Sequence, residues 1–307
     1  MFTGCHTPSV ESVAAQVDTR TMSKRVWLTS IGLVGAVLLV GAVTVLGWTI
    51  NETHFDRPDE GFDRMATELE SLPGVTVDGK ERWVEAPTFV DPTSWIGITV
   101  DEAGLPGLLD AACDRTYPDA VTWSLSVETD RENVVTFHND STSGEFANNE
   151  RCTDFGFDAV GFVGGVDSAT AGLAVQGTIW DDDQFVLVAP EDRINNLAAL
   201  LPLVASSNDL RDAAGLAPDR SVEINGASLS LIVEPTEHDR YFAMLSTLVN
   251  EHGVTSFWAD GGGTPTDGVE KVQIVAPEGE HTAIEDAIGA SDLHIADFPV
   301  RFIPQTD

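Results

Sequence analysis

Between Val26 and Ile50 the chain runs for 25 residues without a charge, VWLTSIGLVGAVLLVGAVTVLGWTI. A helix that crosses a bilayer needs about 20 apolar residues, so this stretch predicts a spanning segment. Trp27 and Trp48 bracket it. At ~1.5 Å per residue they stand roughly 31 Å apart, close to the thickness of a hydrocarbon core, and tryptophan favours both interfaces. Arg20, Lys24 and Arg25 precede the segment, while only Arg57 follows it closely. The positive-inside rule then predicts a cytoplasmic N-terminus (residues 1–25) and an extracytoplasmic remainder (residues 51–307).

A cleaved signal peptide fits less well, because its apolar run is usually shorter and closes on an A-x-A-like site. The nearest approach to such a site is Ala42-Val43-Thr44. Met22-Ser23-Lys24-Arg25 resembles a signal-anchor opening, which makes residues 1–21 a candidate for an overcalled start. No apolar region precedes Cys5, so Phe2-Thr3-Gly4-Cys5 does not read as an acylation site. Gly32 and Ala36 form a small-xxx-small pair of the kind that brings helices close.

The chain is strongly acidic: 50 Asp and Glu stand against 16 Lys and Arg, a formal charge of −34. Two of the acids, Glu11 and Asp18, precede the span, so the imbalance belongs almost wholly to the exterior part. Such a surface repels phosphate backbones, which excludes nucleic-acid binding. It stays soluble by self-repulsion and suits a salty milieu, where repulsion is screened. Apolar residues make up 42%, ordinary for a globular chain.

Beyond a stalk at 51–59, weak internal repetition sets the fold expectation. Ile96-Gly-Ile-Thr-Val-Asp-Glu102, Phe185-Val-Leu-Val-Ala-Pro-Glu191 and Val272-Gln-Ile-Val-Ala-Pro-Glu278 each read as a strand, a turn and a helix start. Val-Ala-Pro-Glu recurs verbatim at 188–191 and 275–278. Leu105, Leu108, Leu109 and Ala112 then repeat at helical spacing, as do Ile194, Leu197, Ala198 and Leu201, and in part Ile284, Ala287 and Ile288. Met65-x3-Leu69-x4-Gly74-Val75-Thr76 matches Met244-x3-Leu248-x4-Gly253-Val254-Thr255. The two glycines fall where a left-handed residue ends a helix cheaply.

The last unit reads most clearly: strand 229–234, helix 236–251, strand 254–258, strand 269–275, helix 280–288 and strand 293–302. That order is βαββαβ, the ferredoxin-like arrangement. The expected fold class is therefore α+β: one N-terminal transmembrane helix, then two to three tandem ferredoxin-like modules with antiparallel sheets. The units are expected at 60–130, 131–225 and 226–307, the middle one opening with Val134–Phe137 and the first lacking a clear opening strand.

Cys113 and Cys152 are the only cysteines beyond the span. A disulfide between them is expected, tying the second helix of the first unit to the first helix of the second. Closing about 40 residues stabilises by roughly 3–4 kcal/mol in the loop-entropy account.

No catalytic signature appears. The seven histidines are His6, His54, His138, His238, His252, His281 and His294, without H-E-x-x-H or paired-His spacing, and there is no C-x-x-C or G-x-S-x-G. His281 and Glu285 lie one helical turn apart. Asp181-Asp182-Asp183 is the one metal candidate, three carboxylates suited to a hard cation such as calcium, though without EF-hand spacing. Gly164-Gly165 and Gly261–Gly263 read as hairpin-turn glycines rather than phosphate cradles. Asn51-Glu-Thr53 and Asn139-Asp-Ser141 match the glycosylation sequon.

The expected function is a non-enzymatic, single-pass envelope protein displaying acidic α+β modules for interaction or sensing. Its partners would be the lipid bilayer, through residues 26–50, and an envelope protein, and no cofactor is expected. The alternative is a calcium-dependent ligand-binding ectodomain, and behind it an envelope enzyme.

Overall fold

The computed structural model describes residues 54–85, 91–114, 116–139, 152–180, 184–190, 196–260 and 269–304. The chain divides into two compact units, and that of Asp56–Val84 and Asp91–Asp307 carries the features below. Twelve strands form one sheet whose spatial order follows the chain. The first run of elements is β1 (His54–Asp56), α1 (Glu60–Glu70), β2 (Val75–Glu85), β3 (Thr93–Asp101), α2 (Leu105–Asp114) and β4 (Val121–Glu128). The second is β5 (Val134–His138), α3 (Ala159–Ala169), β6 (Ala174–Ile179), β7 (Phe185–Ala189), α4 (Leu197–Ala205), α5 (Ser207–Ala213) and β8 (Val222–Gly226). The third is β9 (Leu229–Val233), α6 (His238–His252), β10 (Ser256–Trp258), β11 (Val272–Val275), α7 (His281–Gly289) and β12 (Val300–Phe302).

The order βαββαβ therefore recurs three times, with two helices in the second crossover of the middle run, but the pairing differs from the antiparallel sheets expected. β2–β3, β4–β5, β6–β7, β8–β9 and β10–β11 pair antiparallel. β3–β4, β5–β6, β7–β8, β9–β10 and β11–β12 pair parallel. The sheet is mixed because each helical crossover from β3 onward delivers the chain to the adjacent strand instead of skipping one. It is also continuous: β4 pairs β5, and β8 pairs β9, so no edge separates the three runs.

The helices form for local reasons and bury one face. Asp59 caps α1, its side chain accepting from the Phe62 N–H at 2.9 Å, and Phe62, Met65, Ala66 and Leu69 are buried. α6 buries Tyr241, Met244, Leu245 and Leu248, and ends on Gly253 at φ +65°. α3 packs against α4 and α5, α4 against α6, and α6 against α7, so these helices share one side of the sheet. One apolar core runs beneath them from Phe62 to Ile295.

Four further expectations change. The first run does have an opening strand, β1. The segment 293–302 is not one strand: His294–Asp297 coil into a 3-10 turn and only Val300–Phe302 pair with β11. Cys152 lies before α3 rather than within a helix. Gly164 and Gly165 lie inside α3, not in a hairpin turn. The reason is packing: Gly161 and Gly165 face Ala213 of α5, and a Cβ on Gly161 would run into the Ala213 carbonyl oxygen.

The expected disulfide is present. Cys113, at the end of α2, bonds to Cys152 across a sequence separation of 39.

Candidate functional site

Two arrangements stand out, and each is built from residues far apart in sequence. The first is the sheet face away from the helices. Along β4, Val121, Trp123, Leu125 and Val127 are buried under the helices, while Thr122, Ser124 and Ser126 are only half-buried. Strand register carries that polar alternation sideways. Thr99 stands opposite Ser126, Ser126 opposite Thr136, and Thr136 opposite Gln176. Ser124 faces His138, whose Nδ1 lies 3.3 Å from Gln176 Nε2.

Trp95 lies flat against Gly79 and Gly97, where any Cβ would crowd its ring. Ser124, Ser126, Thr136, His138, Gln176 and Thr178 thus form a hydroxyl- and amide-bearing patch, bordered by the exposed Glu128 in the same β4 alternation and by Asp78, whose carboxylate accepts from Thr99 Oγ1 at 2.7 Å. Farther across, the same face is buried: Val186 and Ser230 are 0% exposed and Glu223 only 4%. There Asn225 donates to Glu223 Oε1 at 2.6 Å and accepts from Ser230 Oγ at 2.6 Å.

The second arrangement centres on His294. Its Nδ1 meets Glu237 Oε2 at 2.7 Å and its Nε2 meets Asp260 Oδ2. Carboxylates only accept, so both ring nitrogens must donate and the ring is an imidazolium. The Asp260 hydrogen bond above all, then Glu237 against the opposing pull of desolvation, raises its pKa from 6.5 to about 9. Glu237 Oε1 also accepts from the His294 N–H at 3.0 Å, and Asp260 Oδ1 from the Ile232 N–H at 2.8 Å. Tyr241 is fully buried beside the ring, centroids 6.0 Å apart. Burial, reinforced by Asp260, Glu237 and Glu234, pushes its phenol pKa far up. With both nitrogens engaged and the proton held, His294 is neither a free base nor a ligand. It ties elements together.

Sequence reasoning missed this group because Glu237, Asp260 and His294 share no motif spacing. The alternation on β4 was the only local signal for the polar patch.

Of the residues singled out in the sequence, Asp181, Asp182, Asp183 and Gly261–Gly263 lie outside the described residues, as does the apolar segment 26–50. Among the described residues no helix is long and apolar enough to cross a membrane. No group of three or more His, Cys, Asp or Glu among them is arranged to hold a metal. His281 stacks flat on Phe302 at 3.6 Å between centroids. Asn139 is buried and its side-chain oxygen accepts from the Trp123 N–H at 2.6 Å, which shields that sequon from modification in the folded state. A shallow hollow of about 280 Å³ between α6 and α7 is lined by Arg240, Ala243, Met244, Thr247, Ala287 and Ser291. Comparison with protein families, with curated proteins and with solved structures finds nothing that this chain matches.

Proposed function

We propose that the chain is a single-pass membrane protein whose acidic extracytoplasmic part acts without catalysis, as an interaction or sensing module. In this reading residues 26–50 span the bilayer, and the patch on β4–β6 meets a neutral, hydrogen-bonding surface of an envelope protein. The observation that carries it is the block of half-buried hydroxyls and amides running across β4–β6, with the carboxylates of Glu128 and Asp78 at its border. Docking there desolvates hydroxyls and amides, which a partner can satisfy, rather than charges, which are costly to bury. The Cys113–Cys152 bond supports the location, since disulfides persist in oxidising compartments and are rare in the cytosol. The three βαββαβ runs, with Val-Ala-Pro-Glu repeated between the second and third, further support an origin in one repeated unit.

Photo-crosslinking residues placed at Thr136 and Gln176 in the native host should give discrete adducts with an envelope protein. The same probe at Glu251, on the exposed side of α6, should give none. Ser126→Glu should abolish the adducts. Equal labelling from both faces, or adducts indifferent to Ser126→Glu, would refute the docking surface. A membrane-impermeant maleimide on intact cells tests the topology separately: Cys113 and Cys152 should label once an equally impermeant reductant opens their bond, and Cys5 only after the membrane is permeabilised.

A further inference from the structure

We propose that His294 is a proton-held latch fastening the strap of residues 291–304 to α6 and β10. Three elements meet at this ring. Glu237 comes from the start of α6 and holds both the His294 N–H and Nδ1, at 3.0 and 2.7 Å. Asp260 comes from the end of β10 and holds Nε2 while bracing the Ile232 N–H of β9. His294 itself opens the 3-10 turn that leads into β12.

The titratable groups facing the ring are Glu237 and Tyr241 from α6 and Asp260 from β10, with Phe298 of the strap edge-on at 6.2 Å between centroids. Glu234 acts on Tyr241 from the turn before α6. Arg240 contacts Glu237 at 3.5 Å and holds Asp292 through its carboxylate at 2.8 Å, pinning the strap beside the latch. Asp292 sits at φ +55°, a conformation Asp tolerates better than most residues.

Removing the proton costs more than one hydrogen bond. A neutral imidazole has one N–H and one lone pair, so one of the two carboxylates would face a lone pair at close range. The latch is closed when His294 is charged. Because its pKa is raised, the linkage runs in one direction: the fastening is complete below 6.5 and is lost as pH rises through about 9. Tyr241, with its pKa driven far up by burial, does not titrate in that window.

Amide-exchange protection factors of residues 293–303, measured on the full chain in detergent micelles, test the device. Between pH 8 and 10 the strap should lose at least about tenfold in protection while Leu245 and Leu248 of α6 hold theirs. His294→Gln should give low strap protection at every pH, without a step. Asp260→Asn should move the step down by about one pH unit or more, and Tyr241→Phe should leave it in place. A step that survives His294→Gln, or one shared equally by α6, would overturn the latch.

Discussion

Asn133 shows how much a single polar side chain can carry. It is fully buried just before β5. Its Oδ1 accepts from the Leu173 N–H at 3.0 Å, and its Nδ2 donates to Asp167 Oδ1 and to the Thr170 carbonyl, both at 3.1 Å. One amide thereby satisfies backbone groups on the connection from α3 to β6. Asp167 is held below its ordinary pKa against the desolvation that would raise it, by hydrogen bonds from Thr129, Asn133 and Arg131. Arg131 also donates to the Asp167 and Ser168 carbonyls at the end of α3. Asn133→Ala leaves two buried backbone groups orphaned and should cost about 3 kcal/mol in chemical denaturation, whereas a loss under about 1 kcal/mol would mean water replaces the amide. Nothing in the sequence marks Asn133: its partners lie 34 to 40 residues away, and an Asn beside a Glu in a polar turn reads as solvated. His294 was hidden for the same reason.

Elements were more legible, because their cause is local. The stripe Tyr241, Met244, Leu245, Leu248 and Val249 repeats at helical spacing, and the structure buries the first four in α6 and leaves Val249 partly buried against the same core. The proline of the repeated Val-Ala-Pro-Glu at 275–278 stands where β11 ends and a 3-10 turn leads into α7. Where local pattern is ambiguous, packing decided. α3 reads AVGFVGGVDSA, and its glycines suggested a turn. Gly161 and Gly165 are instead the surface on which α5 rides, Gly164 turns away from it, and Phe162, Val163 and Val166 enter the core. Gly161→Ala should therefore destabilise, by about 1–3 kcal/mol through forced separation of α3 and α5, despite alanine's better helix propensity. A stabilised variant in thermal denaturation would show that the two helices part without cost.

Charge governs the molecule as a whole. At −34 the folded chain repels itself. Raising salt from 0.01 to 1 M shortens the Debye length from ~30 to ~3 Å. The melting temperature should climb across that range, by on the order of 5 °C for about 2 kcal/mol of relieved repulsion. A flat response in calorimetry would place the acids too far apart to matter.

Topology is the other property of the whole. In a ferredoxin-like unit the second crossover starts from a reversed strand and steps back across the sheet, so both crossovers are right-handed with helices on one face. Here successive crossovers start from oppositely directed strands, step the same way, and still cover one face. Their hands must then alternate. A net charge of −34, an apolar segment of spanning length, the βαββαβ order of the last run and a disulfide between two solitary cysteines were legible in composition and periodicity, because each follows from local pattern or simple counting, whereas the opening strand of the first run was not. Which strands became neighbours, the joining of three runs into one sheet, and the meeting of Glu237, Asp260 and His294 depended on long-range packing. Strand partners are chosen by the free energy of the whole core, to which no short stretch of sequence has access.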